Sequence, residues 1–132
     1  MLVLREAFYG TRRFQDFASR VGMTDAATAH RLQDLVQEGL LSKAPYRPAG
    51  GRTRLEYRLT RKGLDLLPAL LALMQWGDRW MSDTGGPLEM SHADCGGAIG
   101  VEVRCTHGHQ VTAGRIHVAP SAATITRSTG PV

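Results

Sequence analysis

The C-terminal third of the chain carries the side chains best suited to hold a metal ion. Cys95 and Cys105 offer thiolate sulfur, and His107 and His109 offer imidazole nitrogen. A tetrahedral zinc ion takes four ligands of these two kinds. Each half of the segment has one cysteine, however, where a zinc ribbon has a Cys-x-x-Cys pair. We therefore expect no cofactor and two free thiols, with zinc and a disulfide as the alternatives.

A second group of side chains is suited to bind phosphate. Arg47, Arg52 and Arg54 lie in a stretch that contains Gly50 and Gly51 and no acidic residue. Guanidinium groups bind phosphate oxygens or a narrow DNA minor groove, and glycine lets a loop approach a ligand closely. The alternative is a solvated loop tip that binds nothing.

The distribution of charge suits a polyanionic partner such as double-stranded DNA. The net charge is +4, and residues 1–63 hold 12 basic against 6 acidic side chains, whereas residues 64–132 hold 4 against 6. The basic charge therefore belongs to the N-terminal half, as expected of a region that binds a polyanion.

Signatures of enzymes and of membrane proteins are missing from the sequence. It has no phosphate-binding loop, no dinucleotide-binding glycine motif and no Gly-x-Ser-x-Gly nucleophile motif. Its longest apolar stretch, residues 66–74, contains Pro68 and is about half the length of a membrane span. The N-terminus lacks the features of a secretory signal. We expect a cytoplasmic protein that is not an enzyme and has no membrane partner.

Two short helices are the first elements that would position the basic groups. Apolar spacing predicts a helix over residues 13–21, which Gly22 ends. Thr24 then caps a second helix that runs to Glu38. Its predicted inward-facing residues are Ala29, Leu32, Leu35 and Val36. Two helices joined by such a turn form a helix-turn-helix, whose second helix lies in the DNA major groove.

The segment after these helices is predicted to be a β-hairpin. Leu40–Tyr46 and Leu55–Leu59 have the composition of strands, and the arginine-rich stretch lies between them. A helix-turn-helix followed by such a hairpin is a winged helix, with the hairpin as its wing.

The side of the second helix opposite its apolar stripe is predicted to face DNA. Arg31 is the strongest candidate, because its guanidinium can bind guanine O6 and N7, or a phosphate, through two hydrogen bonds. Its alternative is a surface ion pair with Asp34 or Glu38. For Thr24, the alternative is a role as helix cap alone. The predicted DNA contacts are Arg12, Arg13, Thr24, Ala27, Thr28, His30, Arg31, Arg47, Arg52 and Arg54.

A further helix of about twenty residues is predicted to begin after Thr60 and to bend at Pro68. It carries two apolar stripes, so it needs two partners. One stripe faces the winged-helix core, and we expect the other to contact the same helix of a second subunit. The predicted dimer interface is Leu66, Leu70, Leu73, Trp76 and Trp80. An effector pocket lined by Met74, Trp76 and Trp80 is the alternative.

Several motifs in order along the chain resemble the HxlR-type winged-helix regulators of bacteria and archaea. They are Leu4-Arg5-Glu6-Ala7-Phe8-Tyr9-Gly10, Arg13-Phe14-Gln15-Asp16-Phe17, Glu38-Gly39-Leu40-Leu41, Tyr57-x-Leu59-Thr60-x-Lys62-Gly63 and Trp76-Gly77-x-x-Trp80. The resemblance implies a dimer formed through the long terminal helix, and a small-molecule effector for some members. It also implies that the chain begins at about the family's second helix.

Together these features predict an α+β fold, a winged helix-turn-helix with a long C-terminal dimerisation helix and a small β appendage. Residues 1–82 form the DNA-binding domain, residues 83–119 a β-rich extension with strands near 99–104 and 115–118, and residues 120–132 a disordered tail. The predicted function is a repressor that binds a pseudo-palindromic operator as a homodimer. The alternatives are a protein-interaction module and a metal- or redox-responsive regulator.

Overall fold

The computed structural model describes residues 1–121 of the chain. The chain divides into two compact units, one over residues 1–99 and a second that begins at Gly100. The predicted domain boundary after residue 82 stays a prediction. The predicted disordered tail, residues 120–132, lies outside the described residues from position 122 onward.

Three helices form the N-terminal part of the first unit: α1 (Leu2–Phe8), α2 (Phe14–Val21) and α3 (Asp25–Gln37). Gly22 ends α2 with a φ of 68°, a left-handed conformation that favours glycine. α1 packs against both other helices. The buried core joins these helices to the hairpin that follows, and its members are Val3, Ala7, Phe17, Leu32 and Leu41.

The predicted hairpin is confirmed as an antiparallel pair of strands, β1 (Leu41–Tyr46) and β2 (Arg54–Leu59). The backbone N–H of Tyr57 in β2 donates to the carbonyl oxygen of Arg12 at 2.7 Å. The Phe17 ring meets the Tyr57 ring edge-on, with their centroids 6.1 Å apart. These two contacts fix the hairpin against α2, which completes a winged helix-turn-helix of the predicted α+β class.

The helix predicted after Thr60 is interrupted, and this is a correction. Thr60 acts as the predicted cap, since its hydroxyl accepts from the Gly63 N–H at 3.1 Å. The helix it starts, α4, ends at Leu64, and α5 begins afresh at Leu67 and runs to Trp80. Pro68 has no N–H, and its ring would clash with a helical carbonyl at Leu64. Proline is tolerated in the first turn of a helix, where it lies here, so it separates two helices and does not bend one.

The predicted β-rich extension is wrong in detail. Neither 99–104 nor 115–118, both within the described residues, forms a strand. The segment instead contains two separate turns, each closed by one antiparallel bridge, Ser91–Ala98 and Arg104–Gln110. Gly96 and Gly108, with φ of 68° and 82°, turn the chain back within these short loops. No helix within residues 1–121 is both long and apolar enough to cross a membrane.

Candidate nucleic-acid interface

The cap of α3 is formed as predicted. The Thr24 hydroxyl accepts a hydrogen bond from the Ala27 N–H at 3.2 Å, which satisfies one of the unpaired amides of the first turn. Thr24 is exposed and Ala27 is half-buried. The hydroxyl of Thr24 therefore has a structural role, and its predicted contact with DNA stays a prediction.

Thr28 corrects the prediction for the face of α3. Its side chain has no exposed surface, so the predicted DNA contact is wrong, whereas Ala29, predicted to face inward, is exposed. The buried side of the helix follows Thr28 and Leu32, which are four residues apart and therefore stack on one face. Polarity alone assigned Thr28 to the outside. Its hydroxyl has no hydrogen-bond partner among the described residues.

His30 and Arg31 are exposed, and both side chains pair with the carboxylate of Asp34. The Asp34 Oδ2 atom lies 3.2 Å from His30 Nδ1 and 3.5 Å from Arg31 Nη1. The ion pair that was the alternative for Arg31 is thus present. An exposed pair contributes at most about 1 kcal/mol, so the guanidinium can exchange Asp34 for a phosphate or a guanine at little cost.

Gln33 is an exposed residue that the sequence reasoning missed. It lies three residues after His30 on α3 and is exposed like it, so the two share one face. A glutamine amide can bind adenine N6 and N7 through two hydrogen bonds. Its spacing of three residues from His30 is the signal that could have identified it.

Arg12 and Arg13 lie where α2 meets the hairpin. Both side chains are exposed, and the Arg12 carbonyl oxygen accepts the hydrogen bond from β2 described above. The Arg13 guanidinium carbon lies 4.9 Å from the centre of the Tyr46 ring in β1, a cation–π contact. Arg12 is thus free to contact a ligand, whereas Arg13 already holds the wing. The sequence pattern placed Tyr46 only in the hairpin and did not predict its cation–π contact with Arg13.

The hairpin tip presents the arginine cluster as predicted from the sequence. Arg47, Arg52 and Arg54 are all exposed. Arg47 Nε donates to the carbonyl oxygen of Gly51 at 3.3 Å, which ties that side chain to the turn. Gly50 has a φ of 73°, which allows the tight turn at the tip. Within residues 1–121, the side chains of Arg52 and Arg54 form no ion pair or hydrogen bond, so both are available to an anion.

The acid of β2 does not weaken the positive field of the hairpin. Glu56 is buried, and its Oε1 atom lies 2.6 Å from both Nε and Nη2 of Arg58. The two contacts share one oxygen, and the ion pair neutralises the carboxylate within the same strand. The charge that the wing presents to its surroundings is therefore basic.

The face of α5 predicted to form a dimer remains largely uncovered. Trp76 and Trp80 are 56% and 70% exposed, and Leu66 and Leu73 are exposed as well. Leu70 is the exception, because it is only 5% exposed within one chain. Its predicted place in the dimer interface is therefore corrected. Leu70 lies beside residues of α1, so it belongs to the protomer and not to an interface.

The cysteines and histidines of the C-terminal segment are exposed side chains. Cys95 and Cys105 are both free thiols, and the Cys105 sulfur lies 3.7 Å from Nδ1 of His109. In the part of the chain that the structure describes, no three His, Cys, Asp or Glu side chains are grouped as a metal site.

Comparisons with known proteins agree with this geometry. The family model of the HxlR-like helix-turn-helix matches residues 1–84. The HTH-type transcriptional regulator Rv3095 of Mycobacterium tuberculosis is 39% identical over 122 residues, which cover 91% of this chain and 76% of that protein.

Two solved structures have similar folds. The structure of PA1607, described as a candidate transcription factor, is 31% identical with a TM-score of 0.80, over 92% of this chain and 84% of that one. The structure of PA1374 from Pseudomonas aeruginosa, described in the same way, is 27% identical with a TM-score of 0.68, over 96% of this chain and 88% of that one.

Proposed function

Because the chain belongs to the HxlR-like helix-turn-helix family of transcriptional regulators, we propose that it is a repressor that binds a pseudo-palindromic operator as a homodimer. One observation carries the proposal: the arginine-bearing hairpin is hydrogen-bonded to the entry of α2 through Tyr57 and Arg12. This contact holds the wing in a fixed position relative to the helix-turn-helix. A protein that contacts base edges and the DNA backbone at the same time needs such a fixed arrangement.

The exposed side chains divide into two roles. His30, Arg31 and Gln33 on α3 contact base edges in the major groove, where guanine and adenine can be distinguished. Arg12, Arg52 and Arg54 contact phosphates or the flanking minor groove, which adds affinity more than specificity. Arg13 positions the wing through the Tyr46 ring and contributes its charge to the same surface.

The proposed dimer rests on the exposed apolar side chains of α5. Large apolar side chains clustered on one helix mark a protein interface. Two copies of α5 related by a twofold axis cover Leu73, Trp76 and Trp80 of each chain. The two α3 helices then enter successive major grooves about 10 base pairs apart, so the operator is an inverted repeat.

DNA binding is tested by titration of labelled duplex from the region upstream of the protein's own gene, measured by fluorescence anisotropy. A scrambled duplex of equal length serves as the control, and each titration is made at two salt concentrations. We expect tight binding that falls steeply with salt and prefers the native duplex. Weak binding without preference would instead favour the protein-interaction module.

The dimer is tested by a matched pair of substitutions. Trp76 on α5 and Leu55 on β2 are 56% and 55% exposed. Glutamate at either position should therefore have a similarly small effect on the fold of a single chain. We expect Trp76→Glu to sediment as a monomer at micromolar concentration, because it places a charge in the interface. Leu55→Glu should sediment as a dimer. A dimeric Trp76→Glu protein would rule out α5 as the interface.

A further inference from the structure

A cavity of about 280 Å³ lies within the first unit, between α1 and α5. Arg5 and Tyr9 line it from the side of α1, Met74 and Asp78 from α5, and Leu88 from the segment that follows α5. Its volume is near the lower limit of small-molecule sites, so it suits a single ring with one substituent.

Two hydrogen-bond donors that line this cavity lack good acceptors. The Nε atom of Arg5 is buried and has no partner among the described residues. The Tyr9 hydroxyl donates to the Met74 sulfur at 3.6 Å, and a thioether is a weak acceptor. Burial of an unpaired donor is unfavourable. Both side chains line the cavity, so each can donate to a ligand bound there.

The charges around the cavity disfavour an anion as the source of that oxygen. Arg5 is the one basic side chain of the lining, and the Glu6 carboxylate lies 3.4 Å from it. Asp78 adds a second carboxylate. Burial raises the pKa of Tyr9, and Glu6 and Asp78 raise it further against the opposing effect of Arg5, so the phenol remains a neutral donor.

Asp78 supplies an acceptor on the opposite wall. The segment after α5 approaches it closely, since a Cβ atom at Gly86 would overlap the Asp78 carboxylate unless that side chain moved. The cavity thus offers donors at Arg5 and Tyr9, an acceptor at Asp78, and an apolar wall at Met74 and Leu88. The Met74 sulfur also favours contact with an aromatic ring.

We propose that this cavity binds a small neutral aromatic molecule of the aryl amide class, which acts as an effector of DNA binding. The amide oxygen accepts from Arg5 and Tyr9, the amide N–H donates to Asp78, and the ring packs on Met74 and Leu88. The regulatory part rests on the proposed function. α1 packs directly on α3, and a ligand that binds one arrangement of α1 and α5 more tightly shifts the protein towards it.

The test uses benzamide, with benzoate and benzylamine as probes of similar size and opposite charge. Binding to the full chain is measured by ligand-observed NMR without DNA. We expect benzamide to bind with a Kd on the order of 1 mM, as for a fragment of this size. We expect both charged probes to bind at least tenfold more weakly. Benzoate binding as tight as that of benzamide would overturn the proposal.

Two variants and one control variant identify the site. Tyr9→Phe removes one donor and should weaken benzamide binding about tenfold, whereas Tyr46→Phe removes a hydroxyl outside the cavity and should leave it unchanged. Asp78→Asn keeps the shape and removes a charge, so it should strengthen benzoate binding. Equal benzamide affinity in all three variants would place the ligand elsewhere and refute the site.

Titration of DNA with and without benzamide separates this proposal from the previous one. A shift in DNA affinity that Tyr9→Phe abolishes supports the effector role. DNA binding that benzamide does not alter refutes that role and leaves the regulator intact. Selective benzamide binding by a chain that binds no DNA supports the site and contradicts the proposed function.

Discussion

Two threonines at the start of α3, the N-cap Thr24 and Thr28 four residues later, should respond in opposite ways to the same substitution. The Thr24 hydroxyl caps the helix at 3.2 Å from the Ala27 nitrogen. The Thr28 hydroxyl is fully buried without a hydrogen-bond partner among residues 1–121. Valine has nearly the shape of threonine and a similar helix propensity, so each substitution removes the hydroxyl and little else.

The magnitudes follow from these environments. Loss of an N-cap lowers the free energy of unfolding by about 1 kcal/mol, so Thr24→Val should be destabilising by that amount. A buried hydroxyl without a partner costs about 1–3 kcal/mol, so Thr28→Val should raise the free energy of unfolding by about 1 kcal/mol. With a urea dependence of about 2 kcal/mol per molar, each midpoint moves by about 0.5 M, in opposite directions.

Urea unfolding followed by circular dichroism measures both shifts, with all proteins at one concentration because a dimer gains stability with concentration. Thr28→Val should also leave DNA affinity unchanged, since the buried side chain cannot reach a base. A Thr28→Val protein destabilised as much as Thr24→Val would show that the hydroxyl has a partner, and the burial argument would fail. A loss of DNA affinity without unfolding would restore Thr28 as a contact.

Three further predictions concern other parts of the chain. Gly63→Ala should lower the free energy of unfolding by about 1–3 kcal/mol, because a Cβ there overlaps the Leu40 carbonyl oxygen. Gly77→Ala, whose added Cβ would meet no other part of the chain within residues 1–121, should be neutral or stabilising in the same urea titration. Arg31→Ala should narrow the preference for operator over random DNA, whereas Arg52→Ala should weaken both alike; equal losses in anisotropy titrations would contradict these roles. Elemental analysis should find no stoichiometric zinc, and an unfolding midpoint that falls on addition of EDTA would contradict this.

The elements that local periodicity determines could be predicted from the sequence. Gly22 ends α2, and Thr24 and Thr60 cap the starts of α3 and α4. These backbone and capping preferences act within one turn of the chain. The strands around the arginine tip likewise follow from alternation and turn residues. These features depend on near neighbours along the chain, so three-dimensional packing was not needed to find them.

The errors arose where tertiary contacts decide. Which side of α3 is buried depends on how α1 and the hairpin meet it, and polarity alone placed Thr28 and Ala29 on the wrong faces. Leu70 has the same chemistry as Leu73, yet packing within the chain buries the first and leaves the second exposed. Pro68 predicted a bend in one helix, but the structure has two helices, α4 and α5, because proline lies in the first turn of a new helix.

The candidate interface was likewise visible in part. Exposed arginines at the hairpin tip follow from composition, but the contact between Arg13 and Tyr46 joins residues 33 positions apart in the sequence. The cavity lined by Tyr9, Asp78 and Leu88 is assembled from three separate segments. No motif marks such an arrangement, and only the fold brings its parts together.

The proposal that two α3 helices bind successive major grooves is tested most directly by selecting DNA ligands from a library of random duplexes. Sequencing after several rounds gives the preferred site without knowledge of the natural operator. We predict an enriched inverted repeat with half-sites centred about 10 base pairs apart. Enrichment of a single unrepeated half-site, or of no motif at all, would contradict the dimeric operator binder.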